Sequence, residues 1–568
     1  MALFILPSQP ALTLAGLPAA GAQLFFYISG TLTPADVFTT SAMSTAHANP
    51  VVANGAGRFP SVYTSDGMSY RLIIKDALGV TLGDVDPYLL AADGTSPGVT
   101  HVDALGSPAY LKTVSDIING LPVNMFRFVS QAKIAGIRAR TDTSDLTADF
   151  ATAMAAGAAE IILDPGLYNT TGAIAMSAIG KSLRGAGSNR SEIKIASTTA
   201  SAITLANGVA GYNVSGLKVT RTGVPGVNAH GVQCLGTTDK SSVEGLVLED
   251  HYTNLVLGTC DTGSVRNIES RRAYQYGVFQ TCAPIYGASQ WDVDSVLVEK
   301  NAVDGWRAES TAGTPGMIFG SMNNFRSFAN GGRGLHVIGT VGTPVFDLRL
   351  SNAFCGDDAL GSVRLHTFGG KHRLQGFFER SSRGLTGRTY STAATNTANN
   401  IEITANNTDA MIYGSTIDEA GYNGILHQGG ILMVTGNMIY NNGQGLVLAQ
   451  RNGILSEGGR LIASGNEITN IGGAAQAYAI ASNHGNVRIT GNGLDGNTIQ
   501  PMTIAAITTQ TVVFGNTPDT QLSYMPGTID KLKFNSMWSA TATGGDQGAG
   551  TINVAGGLLK NGVAYTHP

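Results

Sequence analysis

The chain has 568 residues, of which 13% are charged and 74 are glycine, and its formal net charge is −4. Soluble proteins typically have about 25% charged residues and about 7% glycine, and the 43% share of hydrophobic residues excludes intrinsic disorder. The charge balance also argues against a nucleic-acid-binding protein, which would carry a basic excess. No apolar run is long enough to span a membrane, and the first residues lack the basic segment of a signal peptide, so we expect folding in a cytoplasm without membrane insertion.

The first predicted elements form a small β module over residues 1–92. The segments AQLFFYI (22–28) and YRLIIKD (70–76) have strand composition, and NGAG (54–57) is typical of a turn. The following residues, 93–140, contain SPAYLKTVSDIINGL, for which we predict a short helix. We interpret this segment as a neck between the module and the rest of the chain.

A helix is predicted over residues 145–156. Leu146, Phe150 and Met154 follow a helical spacing after the N-cap candidate Ser144. The next residues, EIILDPGLY, have the composition of a strand, the first of a long series. A helix in front of this strand would cover an otherwise open sheet edge.

A repeated theme follows this helix. Between residues 414 and 495, Gly414, Gly436, Gly465 and Gly491 are each followed by asparagine or serine. A period near 25 residues with short strands and Gly or Asn corners is typical of a parallel β-solenoid. The steps upstream average about 27 residues, so residues from about 160 to 515 would form about 13 coils and a rod about 60 Å long. The inward positions that we take as equivalent are Leu217, Leu246, Ile268, Val296, Phe325, Leu350 and Phe377.

The cysteines and the C-terminal segment complete the pattern. Four cysteines without a CxxC pair cannot form a disulfide framework. Cys260 and Cys282 each follow an inward position by the same number of residues, so we predict that they stack, reduced, inside the rod; a redox or metal role is the alternative. Residues 516–568 differ in composition, and TINVAGGLLKNGVAYTHP predicts a short two-stranded tip.

One stretch of the chain resembles a known family. The run IRARTDTSDLTADFATAMAAGAAEIILDPGLYN is similar to the capping helix and first coil of the pectate-lyase-like right-handed β-helix of bacteriophage tailspikes. The resemblance and the right-handed preference of β crossovers predict an all-β protein with a right-handed parallel β-helix, including its capping helix, over residues 141–515. The matching positions are Ile137, Arg138, Thr141, Asp145, Thr147, Pro165, Gly166 and Tyr168.

A second resemblance covers the N-terminal module. The order of its motifs is similar to that of the small module by which many phage tail fibres and tailspikes attach to the virion. The resemblance implies a virion tail protein that is bound to a tail or baseplate protein. It also implies a homotrimer of parallel chains, with residues 516–568 as the trimerisation tip. The matching positions are Tyr27, Gly30, Thr31, Asn49, Pro50, Gly57, Arg58, Phe59 and Pro60.

The resemblance also implies a function. Tailspikes of this family bind polysaccharide on the host cell surface, and many cleave it, by hydrolysis or by elimination. We therefore expect a polysaccharide depolymerase, with hydrolysis favoured over elimination. Two alternatives stay open: a receptor-binding fibre that only adheres, and a bacterial β-helix enzyme or adhesin unrelated to phages. The sequence has no phosphate loop, dinucleotide motif or metal-ligand spacing, so neither a cofactor nor a metal is predicted.

Four residues, each eight positions past an inward residue, form the first candidate site. Tyr276, Asp304, Arg333 and Asp358 would fall on successive coils, which would place Asp304 and Asp358 about 9.6 Å apart. That separation suits the two carboxyl groups of an inverting glycosidase, with Arg333 holding one of them ionised. The alternative is that corner geometry alone makes a polar residue recur at this position.

Further carboxylates and aromatic residues lie in the same part of the sequence. Glu299 belongs to a column with Glu249, Arg271 and Arg380, whose charges predict a solvated ion-pair ladder. Sugar recognition needs aromatic faces beside polar groups, so the polysaccharide groove is predicted on residues 270–380. The further catalytic candidates are Glu299, Glu379 and Asp357, and the sugar-binding candidates are Arg333, Tyr276, Trp291 and Trp306.

Overall fold

The computed structural model describes two units of the chain, Met1–Leu121 and Pro122–Pro568. No helix in the described part is both long and apolar enough to cross a membrane. The described residues are 11–88 and 122–517, apart from 14–16, 41, 66–68, 209, 235, 237–238, 282–288, 311–316, 319, 381–384, 387–388, 391–397, 405–406, 445–450, 472–475, 506–507 and 509, together with 2–4, 100–101, 112–113, 523–524, 559–560 and 563–564.

The first unit contains an antiparallel sheet of four strands. The two strands predicted from composition are confirmed, and they pair with each other over their whole length. Leu24, Phe26 and Tyr70 on this sheet are fully buried, as expected for a sheet with one covered face. In spatial order the strands are Val51–Val52, Gln23–Ile28, Tyr70–Lys75 and Thr81–Tyr88; in addition, Ala2–Phe4 pairs with Val62–Thr64, and Thr100–His101 with Lys112–Thr113.

Two residues of the N-terminal motif have structural roles in this module. The side chain of Asn49 takes the place of a neighbouring strand, because it accepts from the Phe26 N–H at 3.1 Å and donates to the Phe26 carbonyl at 2.7 Å. Gly57 closes the predicted NGAG turn with a left-handed backbone (φ 74°), which glycine adopts without steric cost. The predicted neck helix is wrong at its described positions, since Lys112–Thr113 is a strand; its other residues lie outside the described part.

The second unit is a parallel β-helix, as predicted. Each coil contributes one short strand to each of three sheets, which we call A, B and C, and the strands of successive coils pair in parallel. Sheet C has 14 strands, in agreement with the expected number of coils. Alternate side chains of every strand point into one continuous apolar core. The hand of the coil stays a prediction.

The strands of the three sheets follow one another in the order A, B, C along the chain. Sheet A consists of Val123–Asn124, Glu160–Leu163, Ser182–Gly185, Asn213–Ser215, Ser242–Glu244, Ser321–Asn323, Arg349–Ser351, Lys371–Gln375, Asp409–Tyr413, Ile431–Thr435, Arg460–Ser464, Val487–Thr490 and Val512–Phe514. Sheet B consists of Gly166–Thr170, Ser191–Ile195, Lys218–Arg221, Val247–Glu249, Arg326–Phe328, Phe354–Gly356, Phe378–Arg380, Thr416–Asp418, Met438–Tyr440 and Glu467–Thr469. Sheet C consists of Ile174–Met176, Ile203–Leu205, Val232–Cys234, Leu255–Leu257, Val278–Thr281, Trp306–Glu309, Leu335–Ile338, Val363–His366, Ile401–Ile403, Ile425–His427, Asn452–Ser456, Tyr478–Ser482, Gln500–Ile504 and Ser523–Tyr524.

A few strands depart from this scheme. Cys260–Arg271 and Ser289–Glu299 continue through the corner and belong to both sheet A and sheet B. The remaining pairs are Met317–Ile318 with Val345–Phe346, Leu385–Thr386 with Thr389–Tyr390, and Leu559–Lys560 with Val563–Ala564. The last pair is antiparallel, so it confirms the two-stranded tip.

The corner between sheets A and B explains the abundance of glycine and asparagine. One residue at this corner adopts a left-handed backbone in most coils, for example Gly216 (φ 64°) and Asn352 (φ 50°). Glycine and asparagine tolerate this conformation better than other residues. The residue that follows points into the core. The buried residues predicted correctly for this position are Leu217, Leu246, Ile268, Val296, Phe325 and Phe377.

The prediction for Leu350 is wrong by three residues. Leu350 is buried, but it is aligned with Met322 and Leu374 in sheet A. The residue equivalent to Phe325 is Ala353, which follows the left-handed Asn352. Because alanine is small and only weakly hydrophobic, the sequence pattern does not mark Ala353 as an inward residue, and the larger Leu350 nearby was chosen in its place.

In the last coils the inward corner position is held by asparagine. The Asn437 side chain donates to Asn466 Oδ1 at 2.9 Å, and Asn466 donates in turn to Asn492 at 2.8 Å. Asn492 donates to Asn516 at 2.9 Å. Each Oδ1 also accepts the backbone N–H of the asparagine one coil earlier. Because buried amides must be hydrogen-bonded, this asparagine ladder fixes the register of the coils.

Two helices close the start of the β-helix. Helix α1, Gln131–Ala139, precedes helix α2, Thr147–Ala155, which confirms the predicted helix. The N-cap position is held by Leu146 and not by the predicted Ser144, and Asp145 Oδ1, one residue earlier, accepts the Thr147 N–H at 3.0 Å. This carboxylate also accepts from Thr147 and Thr171 hydroxyls, and these hydrogen bonds lower the pKa of Asp145 to about 2 although burial opposes the shift. The buried residues of α2 are Phe150, Ala153 and Met154.

The β-helix extends beyond both predicted ends. Val123–Asn124 pairs in parallel with residues of Glu160–Leu163, so the segment from residue 122 belongs with the first coil and not to the predicted neck. Ser523–Tyr524 continues sheet C past residue 515. Cys234, Cys260 and Cys355 are buried, whereas Cys282, the predicted neighbour of Cys260, lies outside the described residues.

Candidate functional site

Charged side chains collect on the outer face of sheet C. Phe279, Arg307, His336, Arg364 and Glu402 occupy the same outward position on five successive strands. Residues of a strand alternate between its two faces, so the neighbours of these residues point into the core. We call this surface, together with Tyr276, Asp304 and Arg333 at the adjoining corner, the charged face.

Asp304 is at the centre of the charged face and is almost fully buried. Its Oδ1 accepts the Arg333 backbone N–H at 2.9 Å, and its Oδ2 lies 3.0 Å from His336 Nδ1 and 3.5 Å from Arg307 Nη1. Burial alone would raise the pKa of this carboxyl, but the hydrogen bond from His336, the Arg333 N–H and the nearby Arg307 guanidinium together lower it. Asp304 is therefore an ionised carboxylate whose oxygens are both engaged.

Arg333 and Glu402 form a second buried pair. Arg333 Nη2 lies 2.9 Å from Glu402 Oε2, and only 9% and 11% of the two side chains are exposed. Burial lowers the pKa of Arg333, although Glu402 opposes that shift. Arg364 Nε approaches Glu402 Oε2 at 3.7 Å, and Asn399 donates to Glu402 Oε1 at 2.9 Å. The inner layer of the charged face is thus a connected network of opposite charges.

Aromatic rings border this network on the side of the earlier coils. The Tyr276 and Phe279 rings are stacked, with centroids 5.5 Å apart. The Arg307 guanidinium lies 5.2 Å from the centroid of the Tyr276 ring, within the range of a cation–π contact. Burial raises the pKa of the half-buried Tyr276 hydroxyl. The charged face therefore joins ring surfaces to ionic groups, a combination suited to sugars.

The structure brings together three of the four residues in the predicted column. Tyr276, Asp304 and Arg333 each stand two residues before aligned strands of sheet C. The equivalent residue on the next coil is Gly361, so Asp358 is not part of this column. The prediction that Asp304 and Asp358 form a pair of carboxyl groups in one column is therefore wrong.

Asp358 lies inside the β-helix. It ends a polar ladder in which the Asn301 side chain donates to Asn330 at 2.8 Å, and Asn330 donates to Asp358 Oδ1 at 2.8 Å. Its Oδ2 accepts from the Ser327 hydroxyl at 2.7 Å. Burial raises the pKa of Asp358 to about 7, against these hydrogen bonds. Asp358 therefore occupies a structural position in the ladder of Asn301 and Asn330, with a carboxyl group in place of their amide groups.

The remaining carboxyl candidates, Glu379, Glu299 and Asp357, do not belong to the charged face. Glu379 is fully buried in sheet B, and burial raises its pKa although Ser362 donates to it at 2.9 Å. Glu299 lies on the outer face of sheet B, where its Oε1 is 3.1 Å from Arg271 Nε. This is one step of the expected ion-pair ladder, whereas Glu249 is paired with Lys218 and Arg272. Asp357 is half-buried at a left-handed corner after sheet B.

Trp291 and Trp306 cannot stack on a sugar, because both are completely buried. The Trp291 indole N–H donates to the Gly258 carbonyl at 3.0 Å. The Trp306 ring packs edge-to-face against Phe325, with centroids 6.3 Å apart. Both tryptophans are core residues. The rings beside the charged face are the partly exposed Tyr276 and Phe279, and the more exposed Phe354 and Phe378 stack on each other on sheet B, with centroids 5.5 Å apart.

Sequence reasoning missed His336, Arg307, Arg364 and Glu402. These residues are neither close in sequence nor part of a motif, and the coil lengths between them differ. Aligning the strand Leu335–Ile338 with Trp306–Glu309 by their shared apolar alternation would have placed His336 beside Arg307. Within the described ranges, no three His, Cys, Asp or Glu side chains are grouped in a way that could hold a metal ion.

Asp358→Asn is expected to raise stability at neutral and alkaline pH. The folded-state pKa of about 7 exceeds the ordinary value of 3.8, so the folded protein keeps a proton that the unfolded chain has lost, and stability falls as pH rises between these values. Asparagine can continue the ladder and does not ionise, so the gain above pH 7 is at most about 4 kcal/mol. Thermal unfolding of both proteins across this pH range checks it; parallel curves would contradict the prediction.

Comparisons with known proteins give similarities of fold. No family model and no curated protein matches the chain. The chain is similar to tailspike protein 3 of bacteriophage CBA120, with 15% identity over 78% of this chain and 71% of that one and a TM-score of 0.48. It is also similar to the catalytic unit of a GH87 α-1,3-glucanase from Streptomyces thermodiastaticus (15% identity, 89% of each chain, TM-score 0.43). A third similarity is to the A-module of a mannuronan C-5 epimerase from Azotobacter vinelandii (14% identity, 72% and 100%, TM-score 0.37). These similarities concern the fold, and not what the chain binds or does.

Proposed function

We propose that this chain is a phage tailspike whose β-helix binds polysaccharide of the host cell surface along the charged face and cleaves it there. The observation that carries the proposal is the concentration of ionic and aromatic side chains on four to five coils of one sheet. The resemblance of the N-terminal module and of the first coil to phage proteins gives the biological setting.

The charged face contrasts with the rest of its own column. Only 13% of the residues in the chain are charged, yet three consecutive strands present Arg307, His336 and Arg364 at one outward position. On two earlier coils the same position is held by Gln233 and Val256, and on the two coils after Glu402 by Leu426 and Leu455. A local cluster of hydrogen-bonding groups beside partly exposed rings favours a saccharide-binding surface.

The N-terminal module is proposed to attach the protein to a tail or baseplate protein of the virion. The protein is proposed to act as a homotrimer outside the host cell, with residues 516–568 contributing to assembly. These assignments are supported by the motif order of residues 1–92 and by the antiparallel pair at the C-terminal tip.

A fibre that only adheres is the second candidate function. It is favoured by the internal pairing of the charged face, because Asp304 accepts the Arg333 backbone N–H and the Arg333 side chain is paired with Glu402. Under this alternative, Arg307, Arg364 and the exposed rings contact the polysaccharide without any bond being broken.

Arg364→Ala and Tyr276→Ala are each expected to weaken polysaccharide binding about tenfold or more, which corresponds to about 1.4 kcal/mol. The loss follows from removal of a charged hydrogen-bond donor in one case and of a stacking ring in the other. The measurement is titration of the full-length protein with surface polysaccharide extracted from bacteria that the protein labels.

Arg349→Ala is the matched control. Arg349 lies on the same coil as Arg364 but is exposed on sheet A, so the variant makes the same change of charge on another face. Equal losses in the Arg349 and Arg364 variants would point to net charge and not to the charged face, and binding unaffected by either substitution on the face would refute the proposed location.

A further inference from the structure

His336 has the surroundings of a proton-transfer group. Its Nδ1 lies 3.0 Å from Asp304 Oδ2, and because a carboxylate accepts there, the ring proton belongs on Nδ1. Among the described residues no group is hydrogen-bonded to Nε2, whose lone pair is thereby left free. The imidazole is partly exposed, with 13% of its side chain open to solvent. A buried carboxylate behind an imidazole with a free nitrogen is an arrangement suited to general base catalysis.

Two guanidinium groups flank this imidazole. Arg307 and Arg364 hold the same outward position one coil before and one coil after His336, which places each backbone about 4.8 Å from that of His336. Their side chains are 22% and 33% exposed. Arg307 Nε already donates to Glu309 Oε2 at 2.9 Å, and Arg364 Nε is 3.7 Å from Glu402 Oε2. Arginine recognises carboxylates through N–H donors, so a carboxylate lying over His336 would contact the remaining Nη donors of both arginines.

The carboxyl groups of this region do not suit hydrolysis. That reaction needs a protonated carboxyl and an ionised one on opposite sides of the scissile bond. Of the mid-rod candidates, Asp358 and Glu379 have raised pKa values, but both are buried inside the β-helix. Asp304 is held ionised and is fully hydrogen-bonded. His336 Nε2 is therefore a free basic atom on the charged face, whereas the neighbouring Glu309 carboxylate is ion-paired with Arg307 at 2.9 Å.

We infer that His336 is the catalytic base of a β-elimination on an acidic polysaccharide, whose uronate carboxylate is held by Arg307 and Arg364. Nε2 takes the proton on the carbon next to that carboxylate, and the electron pair forms a carbon–carbon double bond as the glycosidic C–O bond breaks. The leaving oxygen takes a proton from water, or from Tyr276, which then regains one from solvent, and the proton on His336 Nε2 returns to solvent. Asp304 is a positioning residue that orients the imidazole.

This inference rests on the proposed function and deepens it by naming the substrate class. The test uses the full-length protein and surface polysaccharide extracted from bacteria that it labels, with the uronic acid content of that polysaccharide measured. Wild-type protein is expected to release fragments that absorb in the ultraviolet as unsaturated uronates. His336→Ala is expected to lower kcat by at least about 100-fold, with KM and binding little changed, and added imidazole is expected to restore part of the rate.

Two further variants complete the design. Asp304→Asn is expected to lower kcat while leaving KM within about threefold, because it misorients the base without removing the arginine contacts; a purely structural role would lower the folded fraction and leave the kcat of the folded protein unchanged. His336→Gln replaces His336→Ala if the latter does not fold, as judged by circular dichroism. Arg349→Ala, on sheet A, is the control with parental activity.

The outcomes separate this inference from the proposed function. New reducing ends without unsaturated sugar would show hydrolysis and overturn the inference, as would a bound polysaccharide without acidic sugars, binding without cleavage, or parental kcat in the His336 variants. Each of those results leaves polysaccharide binding standing. Failure of the protein to bind any bacterial surface polysaccharide would overturn the proposed function itself, and the inference with it.

Discussion

Arg333→Leu is expected to lower the free energy of unfolding by about 3–5 kcal/mol, the usual cost of removing one partner of a buried ion pair. Arg333 and Glu402 are each about nine-tenths buried, and their charged atoms are 2.9 Å apart. Leucine leaves the Glu402 carboxylate in a poorly solvated position, where the more distant Arg364 compensates it only in part. The hydrogen bond from the Arg333 backbone N–H to Asp304 is retained in this variant, so the change in unfolding free energy reports the contribution of the Arg333 side chain alone.

A double-mutant cycle provides the control for Arg333. Adding Glu402→Gln to Arg333→Leu removes the stranded charge, so the double variant should recover much of the lost stability. Urea unfolding followed by circular dichroism gives the four free energies. If the double variant is less stable than Arg333→Leu by the full cost of Glu402→Gln alone, the two side chains are not coupled and the network described for the charged face is incorrect.

Trp306→Ala is expected to cost about 3–5 kcal/mol, as for other large aromatic residues removed from a core. The indole is completely buried, it packs against Phe325, and its strand is aligned with Val278 on one coil and Leu335 on the next. Stacked coils cannot collapse into the cavity without breaking the ladder of backbone hydrogen bonds, so little of the loss is recovered by relaxation.

Val303→Ala serves as the control for Trp306. Val303 is 38% exposed and lies near the same strand, so its truncation should change the unfolding free energy by less than about 0.5 kcal/mol. The same urea experiment measures both variants. A Trp306 variant as stable as the parent would mean that the ring is not part of the core, and the earlier hypothesis of a sugar-stacking tryptophan would then return.

The error at Asp358 shows what limited the prediction of the site. Counting from Ile268, Val296 and Phe325 locates Tyr276, Asp304 and Arg333 correctly, because the spacing between corner and sheet C is constant over these coils. The count from Leu350 leads to Asp358, whereas the count from the true corner residue, Ala353, leads to Gly361. One misplaced inward residue thus assigned Asp358, a carboxyl inside the β-helix, to the surface column, where Gly361 stands.

The chain sequence by itself determined the architecture. Short runs of alternating apolar and polar residues determine the strands, and glycine and asparagine residues that tolerate a left-handed backbone determine the corners. Because this pattern recurs, each coil buries its inner face by stacking on the next coil. These are local properties, which is why the β-helix, its capping helix and the N-terminal strands were all predictable. The paired strands AQLFFYI and YRLIIKD and the helix Thr147–Ala155 follow from residues within a few positions of one another.

The tertiary structure alone decided which side chains meet. The corner residue recurs after 38 residues between Phe377 and Ser415 but after 22 between Ser415 and Asn437, because loops of different length leave the rod between strands. Strand pairing absorbs these differences and sets Arg307, His336 and Arg364 side by side. The surroundings then separate residues of the same type, since the pKa of Asp304 is lowered by its partners on the charged face whereas burial in the core raises that of Asp358 to about 7. The charged face is therefore a product of coil stacking, which no local pattern in the sequence encodes.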